Sequence, residues 1–329
     1  MKILVVGCGS IGSRHLENLR SLGGFELIAV DVDKKRLADV KAKFSLKSYD
    51  DYAAALELER PAAVIVCVPN HLHLKYAIAA ARAGCHLFVE KPLSHNLDSL
   101  AELTDIIENK KLKFFMGSNW KFFPDFIKMK ELLDQGVIGR VLSFTVIAGQ
   151  YLPDWHPLED YRQGYSANSR LGGGVLLDSH EIDYLQWFLS PIKKVACLTG
   201  KYSDLEIDTE DIAALIVELE SGAVGTIHLD YIQQPYRRSY YLYGDQGCLE
   251  WDFLKKEINI YSKATKKWRK IGGDPAYELN QMYLAEMRHF LDILTGKAEP
   301  LTDIRQARQT LKVIEAAKRS SASGQAVTI

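Results

Sequence analysis

Short apolar runs alternate with amphipathic stretches from the first residue to about Trp120. Apolar positions crowd residues 3–6, 27–30, 63–68, 86–89 and 113–116. Runs this short, with little polar alternation, fit strands covered on both faces, as in a parallel sheet. Residues 11–22, 34–44, 72–83 and 97–109 instead space their apolar side chains along one face of a helix. A βαβα order of this kind predicts a doubly wound sheet with right-handed crossovers.

Past Trp120 the pattern changes. A helical stretch at 124–135 precedes a strand-like 140–148 and a long loop of aromatic and polar residues through Asn168. After Gly172-Gly173-Gly174 an amphipathic helix is expected as far as Phe188, followed by strands at 211–218, 223–230, 239–243 and 248–253. Turn residues at Ser221-Gly222 and Gly244-Asp245-Gln246-Gly247 separate them, which predicts a mainly antiparallel meander. Residues 283–294 and 304–320 read as helices. The expected fold class is α/β. An N-terminal Rossmann domain with a doubly wound parallel sheet spans 1–120, and a C-terminal α+β domain on a large, mainly antiparallel sheet spans 121–329. The helix at 304–320 is able to pack back on the first domain.

A length of 329 residues already suits two domains rather than one core. With 47% hydrophobic and 25% charged residues the chain is globular rather than disordered. Its 41 basic and 42 acidic residues leave a net charge of -1 with no long like-charged block, so nucleic acid is not an expected partner. The densest basic stretch, 263–270, is interleaved with Thr and Trp and reads as an exposed strand or hairpin face. Five scattered cysteines, Cys8, Cys67, Cys85, Cys197 and Cys248, suggest free thiols in a reducing, cytoplasmic compartment. The apolar run at the N-terminus breaks at once into glycines, as a buried strand does and a signal peptide does not. No run approaches the roughly 18 to 20 apolar residues of a membrane helix.

Gly7-Cys8-Gly9-Ser10-Ile11-Gly12 follows the first expected strand and opens the first helix, the context that a dinucleotide fingerprint requires. Gly7 permits the turn, Gly9 lets the backbone approach a pyrophosphate, and Gly12 lets helix and strand pack closely. The amides at the helix start, Ser10 and Ile11 among them, then face the phosphates. Glycines also serve turns that touch no ligand, and Asp31 is the feature that decides between the two. It ends the second strand 19 residues beyond Gly12, against the roughly 20 expected of an acid that bonds the ribose hydroxyls. That acid repels a 2′-phosphate, so NAD is the expected cofactor. The neighbouring Lys35 and Arg36 keep NADP open.

Another strand ends in Glu90-Lys91-Pro92 at the carboxyl edge of the sheet, where open α/β folds bind ligands. An ammonium there can bond a substrate hydroxyl and relay its proton. A solvated Lys ahead of a turn-forming Pro accounts for the spacing equally well.

Taken together, the glycine loop, Val68-Pro69-Asn70-His71-Leu72-His73 and Glu90-Lys91-Pro92 resemble the Gfo/Idh/MocA oxidoreductase family. The resemblance continues through Met116-Gly117-Ser118-Asn119, the triple glycine with His180 and Asp183, and Gly244 to Leu249. It implies hydride transfer between NAD or NADP and a secondary alcohol or ketone of a sugar, cyclitol or nucleotide-sugar. Under it Lys91 matches the catalytic lysine, while Val68, Pro69, Asn70, His73, Glu90 and Asn119 fall on the cofactor side. His180 matches the second catalytic motif, an imidazole able to take and return a proton near neutral pH.

Asp183, three residues beyond His180, shares a helical face with it and is a candidate to orient the ring. The family commonly has an acid four residues before the histidine, where this chain has Leu176. Asp178 is nearer, but two helical positions are about 200° apart.

Trp120 and Lys121 stand where the family often has substrate-facing residues. The loop carrying Tyr151, Trp155, His156, Tyr161, Arg162 and Asn168 mixes ring-stacking and hydroxyl-bonding groups; closure over a sugar and packing under neighbouring elements suit it equally. Arg237 and Arg238, near Tyr231, offer a grip for a phosphate or carboxylate and also suit a charged edge strand. Cys67, His71 and His73 lack a familiar zinc spacing, so no metal is expected. A homodimer or homotetramer through the C-terminal sheet is expected, because family members often associate there. Two rival functions use the same cofactor loop: an NAD-dependent glycoside hydrolase working by transient oxidation and elimination, and a non-catalytic dinucleotide sensor.

Overall fold

A computed structural model of the chain describes residues 1–155, 160–178 and 180–329. The chain divides into two compact units, Met1–Phe122 with Glu278–Arg308 and Phe123–Tyr277 with Gln309–Ile329.

In the first unit β1 (Lys2–Val6), α1 (Ser10–Leu22), β2 (Glu26–Val30), α2 (Lys34–Phe44), β3 (Lys47–Tyr49), α3 (Tyr52–Glu59), β4 (Ala63–Val66), α4 (His73–Arg82), β5 (His86–Val89), α5 (Leu100–Lys110) and β6 (Phe114–Met116) follow one another. The strands form one sheet in the order β3-β2-β1-β4-β5-β6. Every pair is parallel, with Val5 opposite both Ala29 and Ile65. This order reverses at β1, and the loops after β1 and β4 therefore lie side by side at the carboxyl edge, where such sheets bind dinucleotides. Apolar runs mark these strands because helices cover both faces. Ile3, Leu4, Val5, Val64, Ile65 and Val66 are wholly buried.

The second unit holds α6 (Pro124–Asp134), β7 (Val141–Gly149), α7 (Val175–Asp178), α8 (Glu181–Phe188), β8 (Ile192–Gly200), β9 (Ile212–Leu219), β10 (Val224–Asp230), β11 (Arg237–Gly244), β12 (Gly247–Asp252), β13 (Glu257–Ser262) and β14 (Lys267–Gly272). Two later helices, α9 (Asn280–Leu294) and α10 (Ile304–Ser323), precede a last short strand, β15 (Val327–Thr328). The nine-stranded sheet runs β14-β13-β12-β11-β7-β10-β9-β8-β15. It is antiparallel except where β7 and β10 pair in parallel. Along β9, Ala213, Leu215, Val217 and Leu219 are buried while Ile216 stays 58% exposed, so one face of the sheet is a core and the other is open.

Two departures from the sequence pattern matter. Residues 278–308 fall in the first unit, although the pattern after Trp120 reads as one continuous second domain. The reason is the stripe on α9, whose Met287, Phe290 and Ile293 are fully buried in one cluster with Ile3, Val5, Phe88 and Phe115. In addition, the single helix expected before Phe188 is two, α7 and α8, and His180 is the N-cap residue of the second. The basic stretch at 263–270 lies in the β13–β14 hairpin, where Lys267, Trp268, Arg269 and Lys270 are exposed. All five cysteines are free thiols. Among the described residues no helix is long and apolar enough to cross a membrane.

Candidate functional site

Each unit carries part of the expected chemistry. In the first, Gly7 sits at φ +89°, and a Cβ there would meet the backbone of Cys67 and Val68 at 2.6 to 2.7 Å. A Cβ on Gly12 would collide with the Gly7 carbonyl oxygen, whereas one on Gly9 has no atom nearer than Arg36 Nη1 at 4.0 Å. The first and third glycines are thus demanded by the protein's own packing. The second leaves open space in front of the helix. No side chain caps the N-terminus of α1, so the amides of its first turn are available to an anion.

Asp31 is buried at the end of β2. Its Oδ2 accepts the Cys8 N–H at 2.6 Å and its Oδ1 the Asp33 N–H at 2.8 Å. Each carboxylate oxygen keeps a second lone pair for a ribose hydroxyl. The Arg36 guanidinium lies 3.9 Å from Oδ2 and is half exposed. Burial, with the Asp31 charge beside it, pushes the Cys8 thiol up to about 12, so this cysteine is a packing residue and not a nucleophile.

The segment after β4 is held from below. His73, 1% exposed, places one ring nitrogen 2.7 Å from the Val68 carbonyl oxygen and the other 2.8 Å from that of Pro92. Burial outweighs these two carbonyls and holds the ring below the usual histidine range. A neutral ring donates to one of them at a time, tying the Val68-Pro69-Asn70 loop to the Lys91–Pro92 turn. Asn70 is buried in a short 3-10 turn, Asn70–Leu72. Lys91 follows β5, is partly exposed, and its backbone N–H reaches Glu90 Oε2 at 3.2 Å.

Glu90 itself points into the unit. His15 Nε2, on α1, lies 2.5 Å from its Oε1. Glu286, on α9, accepts the Ser118 N–H at 2.5 Å. Among the described residues, His15, Glu90 and Glu286 are the one group of His, Cys, Asp or Glu donors lying within 4.8 Å of one another. At that spacing two full negative charges repel by roughly 3 kcal/mol at an effective dielectric near 20, a penalty that adds to the cost of burying them and opposes both carboxyls being ionised at once. Burial favours a proton on Glu90, but His15 and Lys91 outweigh it and hold that group below the ordinary carboxylate range. Glu286 goes the other way: burial, then the Glu90 charge, push it well above that range.

Several expected residues prove to be internal. Asn119 is buried, with Nδ2 3.6 Å from Met282 Sδ. Trp120 is 8% exposed. Lys121, 2% exposed, donates to Thr302 Oγ1 at 2.6 Å and to the Leu301 carbonyl at 3.3 Å. Its ammonium is committed to holding the loop after β6, and solvent does not reach it.

In the second unit His180 is partly exposed at the start of α8. The Tyr184 ring stacks on it at 5.2 Å, and Tyr184 Oη lies 3.0 Å from Nδ1. The stacking and the hydroxyl contact together fix the plane of the imidazole. Asp183, the expected orienting acid, is buried in the first turn of α8. Asp178 is 4% exposed and accepts the Tyr231 hydroxyl at 2.5 Å. Burial first and Asp178 second raise the Tyr231 phenol far above its ordinary value, so the proton stays on the tyrosine. Trp155 lies edge-on to Tyr231 at 5.4 Å.

Arg238 is spent within the unit, its Nε 2.7 Å from a carboxylate oxygen of the fully buried Glu181. Arg237 is partly exposed, with Nη2 3.4 Å from Tyr241 Oη. Tyr151 is partly exposed, Tyr161 Oη accepts the Glu206 N–H at 3.2 Å, and the Asn168 side chain accepts the Arg170 N–H at 3.0 Å. Arg162 is clamped by Asp160 and Glu206 at 2.7 and 2.8 Å. With Asn168, Lys201 and Asp204 it lines an open cleft of about 530 Å³. His156 lies outside the described residues, as does Ser179, which precedes His180.

Sequence reasoning passed over Tyr184, His15 and Glu286. The first stands four residues beyond His180 and was open to a helical-face argument. The others become visible only when α1 and α9 are folded against β5.

Comparison with known proteins bears on this arrangement. Residues 1–118 match the family model described as "Oxidoreductase family, NAD-binding Rossmann fold", and residues 126–250 match the GFO/IDH/MocA C-terminal domain. The chain is 27% identical to a myo-inositol 2-dehydrogenase of Thermotoga maritima, covering 97% of this chain and 96% of that protein. It is 22% identical to a levoglucosan dehydrogenase of Pseudarthrobacter phenanthrenivorans, over 83% and 72% of the two chains. Among solved structures, a levoglucosan dehydrogenase in complex with NADH and levoglucosan superposes with a TM-score of 0.90 at 18% identity, over 100% of this chain and 99% of that one. The WlbA dehydrogenase of Bordetella pertussis, in complex with NADH and UDP-GlcNAcA, gives 0.86 at 21% identity, over 100% and 97%.

Proposed function

The chain belongs to the Gfo/Idh/MocA oxidoreductase family, with an NAD-binding Rossmann domain, and from that premise we propose that it oxidises a secondary alcohol on a sugar, cyclitol or nucleotide-linked sugar, or reduces the matching ketone. The names of its relatives, among them a myo-inositol and a levoglucosan dehydrogenase, support a polyhydroxylated ring as substrate. One observation carries the reading. Lys91 stands directly beyond β5, at the carboxyl edge of a 3-2-1-4-5-6 sheet whose first turn is a glycine cradle.

Bound NAD supplies the hydride acceptor at C4 of its nicotinamide. The protein's residues do the rest. Asp31 holds the ribose and rejects a 2′-phosphate, while Gly9 and the uncapped start of α1 take the pyrophosphate. In the oxidative direction the substrate's C–H bond breaks with its electron pair leaving as hydride, and its O–H proton must go to a base. Lys91 bonds the reacting oxygen through its ammonium and steadies the charge that develops there. His180, oriented by Tyr184, takes the proton and returns it in the reverse reaction. Of the expected ring contacts, Tyr151, Tyr161, Asn168 and Arg237 keep partial exposure; the first three suit hydroxyls and Arg237 an acidic substituent.

A panel of cyclitols, hexoses, anhydrosugars and nucleotide-linked sugars, scored by absorbance of the reduced nicotinamide with NAD⁺ or NADP⁺, tests this directly. Net reduction of NAD⁺ by one of them is expected, and the Asp31→Ser variant should lose most of its preference over NADP⁺. Release of an aglycone from glycosides without net reduction would instead establish the hydrolase alternative. Binding without any turnover would leave a sensor.

We also propose a homodimer or homotetramer formed through the open face of the nine-stranded sheet. Leu142, Leu198, Ile216, Val224 and Tyr243 there are 44 to 66% exposed, more apolar surface than a lone sheet face usually leaves to water. Light scattering should give two or four chains per particle, and Ile216→Lys with Leu198→Lys should lower that number. A monomeric parent protein would end the proposal.

A further inference from the structure

The buried cluster behind Lys91 has no part in the chemistry just described, yet it is built around the residue that precedes the lysine. His15 is fully buried, Glu286 is 1% exposed, and both lie against Glu90. The His15 Nδ1 atom has no hydrogen-bond partner among the described residues. A proton there would be buried without an acceptor, so the ring N–H is Nε2, donating to Glu90 Oε1. The other oxygen, Oε2, receives the Lys91 backbone N–H, and a Cβ on Gly117 would come within 3.1 Å of it. Glu90 is therefore gripped on both oxygens, with a bare glycine making room for it. Glu286 closes the remaining side and is itself fixed by the Ser118 N–H.

We propose that His15, Glu90 and Glu286 form a buried positioning cluster in which Glu286 stays a neutral acid, so that Glu90 alone presents a negative charge to Lys91 and holds the lysine turn in one geometry. The inference deepens the function proposed above and rests on it only for its kinetic consequence. The titratable groups against Glu286 are Glu90 beyond β5, His15 on α1 and Cys67 beyond β4; Lys91 acts on Glu90, and Lys121 is tied to Thr302, whose hydroxyl donates to that of Ser118. Of these, Glu90 is the near negative charge that opposes ionisation, and Cys67 is kept a thiol by burial and by the Glu90 charge. Metal ligation by the same three donors is the competing reading. It requires His15 and Glu90 to give up their mutual hydrogen bond.

The sign of the pH effect follows from the direction of the shift. An acid whose folded-state value is raised binds its proton more tightly folded than unfolded, so its contribution to stability declines as pH rises past the unfolded value. Melting temperatures of the whole protein and of Glu286→Gln, measured from about pH 5 to about pH 8, should therefore diverge, the parent falling relative to the variant as pH rises. Infrared spectra at neutral pH should show a protonated-acid carbonyl band in the parent that Glu286→Gln lacks. With NAD⁺ and the panel compound turned over fastest, Glu286→Ala should lose up to about 100-fold in kcat, and Glu286→Gln should recover most of it. A constant difference in melting temperature across that range, equal rate losses in the two variants, or a stoichiometric metal in the purified parent that Glu286→Gln lacks would each overturn the proposal. If Lys91 proves dispensable while the melting curves still diverge, the functional reading fails and the neutral acid stands.

Discussion

Replacing Lys91 by methionine is expected to lower kcat for NAD⁺ reduction by about 10²–10⁴-fold, the range that a positioned proton-handling group supplies. Methionine keeps an unbranched stem and removes only the ammonium. The Lys91 backbone N–H that reaches Glu90 is untouched, and so are the glycine cradle and Asp31. Binding of NADH, followed by its fluorescence, should then stay within a few-fold of the parent while turnover collapses. A loss concentrated in KM with kcat preserved would mean that Lys91 contributes uniform binding and not transition-state stabilisation. Turnover within threefold of the parent would remove the lysine from the mechanism.

His180→Ala is the second large loss, again about 10²–10⁴-fold in kcat, and its companion Tyr184→Phe separates two roles for the imidazole. The phenylalanine keeps the ring that stacks on His180 and deletes only the hydroxyl 3.0 Å from Nδ1. A net hydrogen bond of this kind contributes about 0.5–1.5 kcal/mol, so Tyr184→Phe should lose roughly two- to tenfold. The pH dependence of kcat discriminates further. The limb that His180 supplies should vanish in His180→Ala and persist, displaced, in Tyr184→Phe. An unchanged pH profile in His180→Ala would show that another group carries the proton.

What the sequence reveals and what it hides divide along one physical line, the range of the interaction. β1, β2, β4 and β5 are legible because burial on both faces forces continuous apolar runs, and the glycine loop is legible because Gly7 and Gly12 answer steric demands that no other residue meets. β3 is only three residues long, lies at the edge of its sheet and carries no buried position, so it leaves no hydrophobic signature. The break between α7 and α8 is hidden because Val175, Leu176, Leu177, Ile182 and Leu185 are all buried, and their spacing reads as one helix. Side-chain partners were hardest. Asp178 meets Tyr231 from 53 positions away and Glu286 meets Ser118 from 168, and no periodicity connects residues so distant. Lys121 shows the converse: its place beside a motif invited a substrate role, and its burial against Thr302 gives it a structural one.

The return of α9 to the first sheet makes neither unit a contiguous stretch of sequence: the chain leaves the Rossmann unit after Phe122 and comes back at Glu278. In engineering terms the two units alternate along the chain, since the second resumes at Gln309 and runs to Ile329. A nucleotide-binding module cut out as residues 1–122 would leave behind Met287, Phe290 and Ile293, which bury Phe88 and Phe115, and with them Glu286. Exchanging cofactor modules between such enzymes therefore has to move two segments of chain at once.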